Sequence, residues 1–304
     1  MVKNKMEIKD LIIIGAGPAG LSAAIYAARY KLNFTLFSKQ FGGMITESDR
    51  VENWPGEKRI NGLDLMNKFK EHALNLGTEI IEETVEKIEK TDFGFRVNNN
   101  YESKTILIAQ GTEKRKLNVE GEKEFLGRGV SYCATCDAAF FRDKIVAVVG
   151  GSDAALIAAL LLSEYAKKVY IVYRREKFFR AEPVWIEQVG DNKKIEPVFN
   201  SNIKKIKGSD KVEKIVLDSG KELSVDGVFV EIGSTPNTEI AKQLNLNLDN
   251  GHIATDKFQR TSLPGVFAAG DVTNNPLKQA VTAAAEGAIA ANSAYEQVIE
   301  GKKA

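Results

Sequence analysis

The sequence predicts an α/β, three-layer protein made of two Rossmann-like dinucleotide-binding domains, with the second domain inserted in the first. Two glycine-rich turns support this fold, because each follows a short apolar strand and opens an alanine-rich helix, at residues 15–20 and 150–155. The segment IGSTPN at residues 232–237 then ends a strand-rich region and is interpreted as a return to the first domain. A length of 304 residues agrees with about two domains.

The composition is that of a soluble globular chain able to bury a full core, with 43% hydrophobic and 27% charged residues. Lys and Arg number 42 against 41 Asp and Glu, so the net charge of +1 predicts neither a nucleic-acid partner nor a membrane partner. No apolar run approaches the roughly 20 residues that span a bilayer. The charged first ten residues show no export signal, so a cytoplasmic location is expected.

The first glycine-rich turn, GAGPAG, predicts a site for the pyrophosphate of a dinucleotide. Gly15 makes the turn, Gly17 lets the backbone approach the phosphates, and Gly20 lets the helix pack on the strand. The N–H groups at the start of the helix then face the phosphates. The acid expected about 20 residues further on is absent, because the next strand, residues 33–37, ends in SKQ. The ribose contact is therefore expected from Ser38 or Lys39.

The elements that follow are read from their periodicity and their turn residues. A helix is predicted over residues 61–77, and strands over 79–97 and 105–109. Two turn-rich segments, FGGM at 41–44 and VENWPG at 51–56, can line a cofactor, with Asn53 as the polar contact. Beyond the second glycine-rich turn, four strands are predicted at residues 195–199, 203–206, 212–217 and 222–230.

The second glycine-rich turn follows the apolar strand at residues 145–149 and has the pattern G-x-S-x-x-A. Ser152 stands where the second glycine is usual, and Gly151 is expected to supply the close approach instead. The next strand, residues 169–173, runs into a group of arginines: Arg174, Arg175 and Arg180. Arginine at this strand end indicates the 2′-phosphate of NADP(H). Glu176 leaves NAD as an alternative.

Two nucleotide-binding folds in one chain are explained simply if one holds a flavin and the other a nicotinamide. The C-terminal segment then completes the flavin site, because residues 261–271 form a turn and a short strand ending in Gly270 and Asp271. A carboxylate there can accept a hydrogen bond from a ribityl hydroxyl. The alanine-rich helix predicted at 276–301 can direct the N–H groups of its first turn, residues 278–280, at the flavin ring, or it can simply close the domain.

The only two cysteines, Cys133 and Cys136, lie in the segment SYCATCD, with Asp137 beside the second. A structural zinc site needs about four ligands, and only His72 and His252 are present elsewhere, so no metal is expected. A structural disulfide is disfavoured because so short a loop removes little entropy from the unfolded chain. Chance pairing of two buried thiols remains the plainest alternative. A Cys-x-x-Cys pair beside a βαβ pattern favours a redox-active dithiol.

Together these segments resemble the low-molecular-weight thioredoxin reductases over essentially the whole chain. The matching stretches are GAGPAG, FGG, VENWPG, GRGVSYCATCD, GGSDAA, RREKFFR, IGSTPN, TSLPGVFAAGD and KQA. The resemblance implies an FAD-binding domain at residues 1–114 and 243–304, and an inserted NADPH-binding domain at 115–242 that carries the dithiol. It also implies a homodimer and a large rotation of one domain relative to the other during turnover.

The resemblance also implies a role for each residue around the dithiol. Cys136 faces the flavin and is reduced by it, and Cys133 attacks the disulfide of a thioredoxin or a thioredoxin/glutaredoxin-like protein. Asp137 acts as the acid–base group for the thiol nearest the flavin. Residues that flank the dithiol are candidates for docking the partner protein: Arg128, Phe140 and Phe141.

The cofactor-binding residues carried over by position form two sets. The set for FAD is Gly15, Gly17, Pro18, Ala19, Gly20, Ser38, Gly42, Gly43, Asn53, Val85, Ala109, Gly111, Gly270, Asp271, Gln279 and Ala280. The set for NADPH is Gly151, Ser152, Asp153, Ala154, Arg174, Arg175, Arg180 and Gly233.

The sequence departs from the family pattern mainly in the second set. Tyr173 replaces the His that commonly precedes the arginine pair, and Arg174 and Arg180 are one residue further apart than usual. Some relatives keep the flavin and the dithiol but take electrons from another donor such as ferredoxin, which is one alternative. Another is a non-catalytic flavoprotein whose disulfide reports the redox state, although Asp137 beside Cys136 has an obvious catalytic use and little purpose in a passive sensor.

Overall fold

The computed structural model describes residues 7–48 and 51–303. Most of the charged N-terminal segment, in which no export signal is expected, lies outside these ranges. The chain divides into two compact units, one formed by Met1–Glu113 and Pro236–Ala304 and the other by Lys114–Thr235. None of the helices in the described ranges is long and apolar enough to cross a bilayer.

The bounds of the elements follow in chain order. The first segment holds strands β1 (Ile8–Ala16), β2 (Phe34–Phe41), β3 (Ile80–Ile81), β4 (Ile88–Thr91), β5 (Gly94–Val97), β6 (Tyr101–Ile108) and β7 (Thr112–Lys114), with helices α1 (Pro18–Arg29) and α2 (Gly62–Asn75). The middle segment holds β8 (Val130–Ser131), α3 (Ala134–Asp137), β9 (Ile145–Val149), α4 (Asp153–Tyr165), β10 (Lys168–Val172), α5 (Pro183–Asp191), β11 (Ile195–Val198), β12 (Ile203–Gly208), β13 (Val212–Leu217), β14 (Glu222–Ser224), β15 (Gly227–Val230) and β16 (Ser234–Pro236). The last segment holds α6 (Glu239–Gln243), β17 (Leu248–Asp249), β18 (His252–Ile253), β19 (Val266–Ala268) and α7 (Ala280–Lys303). Two short 3₁₀ helices lie at Met44–Glu47 and Ala138–Phe141.

The first unit is built on a seven-stranded sheet in the order β3-β2-β1-β6-β5-β4, with β19 also paired to β6. Strand β1 lies at its centre, parallel to both β2 and β6. Its residues Leu11–Ile14 are at most 2% exposed, and their side chains alternate between two cores. Leu11 and Ile13 pack towards α1 and α7, whereas Ile12 and Ile14 pack against the core on the other face.

The second unit has a five-stranded sheet in the order β11-β10-β9-β15-β8. The described pairs of this sheet are parallel. One face packs on α4 and α5, and the other packs on the antiparallel sheet β12-β13-β14. The chain passes between the units within β7 and again within β16, and these two strands pair with each other. The predicted three-layer α/β fold with two dinucleotide-binding domains is confirmed.

Two predicted elements differ from the structure. The single strand predicted at 222–230 is two strands, because Val225 and Asp226 pass from one sheet to the other: the Val225 N–H donates to the Glu213 carbonyl, and the Asp226 N–H donates to the Ile145 carbonyl. The C-terminal helix begins at Ala280 and not near residue 276. Residues 275–279 are instead irregular, with a bend at Pro276.

The division between the units also differs from the domain bounds expected from sequence. The C-terminal part of the first unit begins at Pro236 and not at residue 243. The reason is that α6 belongs to the core of the first unit, where Ile240 is 1% exposed and Ala241 is 0% exposed.

Helix α1 approaches its neighbours without side chains in between. At Gly287 of α7, an added Cβ would lie 2.0 Å from the carbonyl oxygen of Ala19 in α1. Because the obstacle is backbone, the two helices would have to move apart to accept any side chain at this position.

We expect Gly287→Ala to destabilise the protein by about 1–3 kcal/mol through overpacking of α1 against α7. Urea unfolding followed by circular dichroism measures this effect. Gly190→Ala in α5 is the matched control, because a Cβ there meets nothing within 4 Å. That control is expected to be neutral or stabilising by up to about 1 kcal/mol, since alanine favours a helix over glycine. Equal unfolding midpoints for the two variants would contradict the packing argument.

Candidate functional site

The two cysteines form a disulfide at the start of a short helix in the second unit. Cys133 is the N-cap residue of α3, and the Cα atoms of Cys133 and Cys136 are 5.3 Å apart. The backbone N–H of Cys136 donates to the sulfur of Cys133 at 3.2 Å. After reduction, such a donor stabilises a thiolate on Cys133. Cys136 is exposed and Cys133 is half-buried, so small reagents can reach the pair.

The residues that follow the dithiol have different environments. Asp137 ends α3, is half-buried, and donates its backbone N–H to the Cys133 carbonyl at 3.2 Å. Phe140 is 79% exposed. Phe141 instead packs in the core, edge to face with Phe229, and its ring fills the space beside Gly227. Of these two aromatic side chains, Phe140 is the more exposed.

Arg128 is exposed, but its guanidinium is engaged within the second unit. It donates to the carbonyl oxygens of Glu124 at 2.6 Å and Asp210 at 3.3 Å. It also lies over the ring of Phe125. These contacts hold the guanidinium near the protein surface in one orientation.

The first glycine-rich turn, residues 15–20, forms the first cradle, and its glycines are of two kinds. Gly15 has φ +112°, and a Cβ there would lie 2.3 Å from the Ala109 carbonyl oxygen. A Cβ at Gly20 would lie 1.7 Å from the Gly15 carbonyl oxygen. At Gly17, the nearest atom would be the Gly42 carbonyl oxygen at 3.8 Å, an ordinary contact. Packing of the protein itself therefore requires Gly15 and Gly20, whereas Gly17 leaves bare backbone at the surface of the cradle.

The start of α1 suits an anion. Gly17 is the N-cap, no side chain caps the helix, and no acidic residue lies in its first turn. Gly43, with φ +70°, brings a second stretch of bare backbone to this point, since its Cβ position is 3.6 Å from the Gly17 Cα. Uncapped N–H groups and the positive end of the helix dipole fit a pyrophosphate.

The ribose end of the first cradle contains residues that sequence analysis missed. Ser38 donates its hydroxyl proton to the Gln40 carbonyl at 2.8 Å and accepts the Ala16 N–H at 3.2 Å, so towards a ligand it can act only as an acceptor. A cavity of about 600 Å³ lies beside Lys39, in the last part of β2. Its lining is polar and is contributed by Lys39, Glu82, Glu83, Thr84, Glu86, Lys87, Asn98 and Asn99. Carboxylates that follow β3 thus stand near the position where an acid after β2 is missing.

Four further residues of the predicted FAD set lie outside helices and strands: Asn53, Val85, Gly111 and Gln279. The Asn53 amide donates to the Gln279 side-chain oxygen at 3.1 Å, so these two predicted contacts are neighbours. Gly111 follows β6 and has φ +60°, and an added Cβ there would meet nothing within 4 Å. Val85 is 4% exposed and belongs to the core, so only its backbone can face a ligand.

A buried carboxylate that sequence analysis missed holds the loop carrying Gly270 and Asp271. Glu286 of α7 is 4% exposed and accepts the Gly270 N–H at 2.7 Å and the Thr273 hydroxyl at 3.2 Å. The Asn275 amide donates to its other oxygen. A signal for this role was present, because Glu286 is the one charged residue between positions 280 and 295.

Three ionisable groups of this region perturb one another. Burial raises the pKa of Asp271, against the attraction of Lys278 and His252. Burial also raises the pKa of Glu286, against its hydrogen bonds from Gly270, Thr273 and Asn275. Burial lowers the pKa of Lys278, whose ammonium donates to the Thr273 carbonyl. The carboxylate of Asp271 is therefore poorly solvated, which favours any hydroxyl that can donate to it.

The second glycine-rich turn, residues 150–155, forms the second cradle, and its glycines have different surroundings. A Cβ at Gly151 would lie 2.5 Å from Cε2 of Tyr173, so the close approach at this glycine is made by a tyrosine ring. Ser152 is the N-cap of α4 and makes no side-chain cap. The Asp153 carboxylate accepts the Glu182 N–H at 2.6 Å. Gly233 has φ +92°, and an added Cβ there would meet nothing within 4 Å.

The three predicted arginines lie beyond the carboxyl end of β10 and are all exposed. Arg175 and Arg180 both lie over the ring of Phe179, at 4.3 Å and 5.6 Å from its centroid. Guanidinium groups spread over one exposed aromatic ring can recognise a phosphate by paired hydrogen bonds. In each unit, therefore, the predicted cofactor residues that follow the strands lie at the carboxyl ends of the parallel strands of one sheet.

Comparison with known proteins gives a consistent result. The family described as pyridine nucleotide-disulphide oxidoreductase matches residues 9–287. A thioredoxin reductase of Listeria monocytogenes is 40% identical, over 99% of this chain and 97% of that protein. The structure of Lactococcus lactis thioredoxin reductase in its FR conformation is 36% identical with a TM-score of 0.92, and covers 96% of this chain and 99% of that chain. A ferredoxin-flavin thioredoxin reductase from Clostridium acetobutylicum is also 36% identical, over 97% of this chain and 99% of that chain, with a TM-score of 0.53.

The raised pKa of Asp271 predicts that ionisation of this carboxyl group lowers the free energy of unfolding of the ligand-free protein. Its folded pKa lies above the unfolded value of 3.8, so the stability it contributes is present at low pH and is lost as the pH rises through the folded pKa. We expect Asp271→Asn to be more stable than the wild type at pH 7, because the amide needs no ionisation. This advantage should disappear as the pH falls to 3.8. Urea unfolding of both proteins across this range tests it, and a stability difference that does not vary with pH would contradict the expectation.

Proposed function

The chain belongs to the pyridine nucleotide-disulphide oxidoreductase family and, within it, to the low-molecular-weight thioredoxin reductases, and we propose that it transfers electrons from NADPH through FAD and the Cys133–Cys136 disulfide to a thioredoxin-like protein. Because it belongs to this family, the protein is an oxidoreductase that uses a flavin and a pyridine nucleotide. The observation that carries the proposal is the accessible disulfide at the start of α3, with Asp137 next to it.

The first unit would hold FAD. Its pyrophosphate fits the bare backbone at Gly17 and Gly43 and the uncapped start of α1. The buried Asp271 would accept a ribityl hydroxyl, and the neighbouring side chains of Asn53 and Gln279 would border the ring. When bound, the flavin accepts a hydride from the nicotinamide and supplies two electrons to the disulfide.

The second unit would hold NADPH. The exposed arginines beyond β10 support a 2′-phosphate, because guanidinium groups pair with phosphate oxygens. The Asp153 carboxylate is the feature that opposes phosphate binding, since it places a negative charge in the first turn of α4. Because of this opposition, a different electron donor is the alternative to be tested, and one structural neighbour is a ferredoxin-flavin thioredoxin reductase.

The dithiol chemistry can be written with all atoms accounted for. The Cys133 thiolate attacks one sulfur of the partner disulfide, a mixed disulfide forms, and the other partner sulfur leaves as a thiolate. The Cys136 thiolate then attacks Cys133, which restores the Cys133–Cys136 disulfide and releases the second partner thiolate. The Cys136 N–H supports Cys133 as the attacking group, and Asp137 can pass the proton to or from Cys136.

The biological setting of the proposal is also inferred. The partner would be thioredoxin or a thioredoxin/glutaredoxin-like protein, since the similar proteins are thioredoxin reductases. Two copies of the chain would form a homodimer, as expected for the family, and the protein would work in the cytoplasm, where reducing conditions let the disulfide turn over.

The electron donor is tested by an anaerobic experiment. FAD-loaded protein is mixed with NADPH and, separately, with NADH, and bleaching of the flavin absorbance is followed. We expect rapid bleaching by NADPH alone, and Arg175→Ala should weaken NADPH binding by on the order of tenfold through loss of one charged phosphate contact. If neither nucleotide bleaches a flavin that dithionite still reduces, the donor assignment is wrong and reduced ferredoxin becomes the donor to test.

The role of the dithiol is tested with Cys133→Ser. This variant should retain flavin bleaching by the electron donor and lose all reduction of a thioredoxin disulfide. The measurement is thioredoxin-dependent reduction of a chromogenic disulfide. A wild-type protein whose flavin and disulfide respond to redox buffers but never turn over would instead support a redox sensor.

The different environments of the two phenylalanines predict a separation of partner binding from stability. Phe140→Ala removes an exposed ring, so we expect a several-fold higher KM for the partner with an unchanged unfolding midpoint. Phe141→Ala removes a core ring and should destabilise the protein by about 3–5 kcal/mol. A KM unaffected by Phe140→Ala would remove this residue from the docking surface.

A further inference from the structure

The position of Cys133 depends on a short stretch of backbone. Strand β8 has only two residues, and Cys133 follows it by two positions. Ser131 is 5% exposed, and its hydroxyl oxygen accepts the Cys133 N–H at 3.0 Å. Between these two residues stands Tyr132. Any movement of the Tyr132 backbone would therefore also move Cys133.

Tyr132 is held at both of its ends. Its hydroxyl donates to the Glu122 carboxylate at 2.5 Å. Its backbone carbonyl accepts a hydrogen bond from the Lys114 ammonium, which is also 3.1 Å from the Glu231 carboxylate. The ring packs beside the core that contains Phe125. The side chain thus joins the dithiol segment to the interior of the second unit.

Glu122 is a fixed anchor for this bond. It is 6% exposed, and its two carboxylate oxygens accept the N–H groups of Leu117 and Asn118 at 2.6 Å each. With the Tyr132 hydroxyl, three donors satisfy one buried carboxylate, which explains how the charge is accommodated. Burial, and then the bond to Glu122, raise the pKa of the Tyr132 hydroxyl, so that it remains a donor throughout the range in which the enzyme would work.

We propose that Glu122 and Tyr132 are positioning residues for the dithiol, and that they hold Cys133 at the distance from Cys136 at which the disulfide closes. The inference rests on the proposed function, since it matters only if the pair opens and closes. In the reduced protein, the anchored Tyr132 keeps the two thiols close together and so raises their effective concentration for one another. Neither residue contacts a reacting sulfur atom, and both act through the backbone of Cys133.

The test measures the equilibrium between dithiol and disulfide in buffers of reduced and oxidised dithiothreitol, which is reducing enough to open a disulfide that serves thioredoxin, with the two forms separated after alkylation. This readout needs no nucleotide and no protein partner. We expect Tyr132→Phe, which keeps the ring, to lower the equilibrium constant for disulfide formation about fivefold, corresponding to about 1 kcal/mol for the lost hydrogen bond. Glu122→Gln should act in the same direction.

The double variant and a matched control sharpen the test. Because Glu122 and Tyr132 act through one hydrogen bond, the effect of the double variant should fall well short of the product of the two single effects. Tyr170→Phe, in β10 of the same unit, removes a hydroxyl outside this network and should leave the equilibrium unchanged. The unfolding midpoint of each oxidised protein shows whether a variant is folded.

The outcomes distinguish the inference from the proposed function. If the wild-type pair opens and closes but the equilibrium constants of Tyr132→Phe and Glu122→Gln match that of Tyr170→Phe, the positioning role is wrong. Multiplicative effects in the double variant would also overturn it, because they would show that the two residues act independently. If the wild-type pair does not open even in reduced dithiothreitol, the proposed function fails and the inference fails with it.

Discussion

The first unit depends on contacts in which backbone meets backbone. Gly20 of α1 lies against the Gly15 carbonyl of the turn before it, and Gly287 of α7 lies against the Ala19 carbonyl of α1. These two approaches press α1 between the central strand and the C-terminal helix. The same turn that packs so tightly leaves Gly17 open, so the requirement for small residues and the presence of an anion-binding surface have one structural origin.

The second unit combines a buried sheet with a reactive segment that has little regular secondary structure. Strand β9 is buried between two cores, whereas the dithiol follows a two-residue strand and precedes a four-residue helix. Order in this segment comes from side chains, chiefly Ser131 and Tyr132, that bind it to the interior. Such a design suits a disulfide that must be reachable and yet return to one geometry after each cycle.

Much of the fold could be predicted from sequence, because its signals are local. Each glycine-rich turn sits between an apolar strand and an alanine-rich helix, and those patterns fix the type of both elements. The predicted strand at 222–230 was wrong, because the Asp226-Gly227 pair inside it is a dipeptide typical of turns. The break exists because the chain changes sheets there, and the sequence of the segment does not record which sheet pairs with each half. The cysteine pair and its neighbour Asp137 are visible for the same local reason. Glu286 and the ring of Tyr173, in contrast, contact residues of other elements. The partners of Glu122 are near in sequence, but Glu122 lies in a turn, where no periodicity marks a buried side chain.

The buried carboxylate of Glu286 also bears on how α7 finds its register. Alanine side chains are nearly alike, so an alanine-rich helix sliding or rotating against α1 would encounter many contacts of similar quality. Rotation of α7 by one residue turns Glu286 through about 100° and separates its charge from the donors on Gly270 and Thr273. An uncompensated charge in the core is strongly unfavourable. Together with Gly287, which must face the backbone of α1, this glutamate gives the alanine-rich helix one preferred alignment, much as a polar residue selects the pairing of two coiled-coil strands.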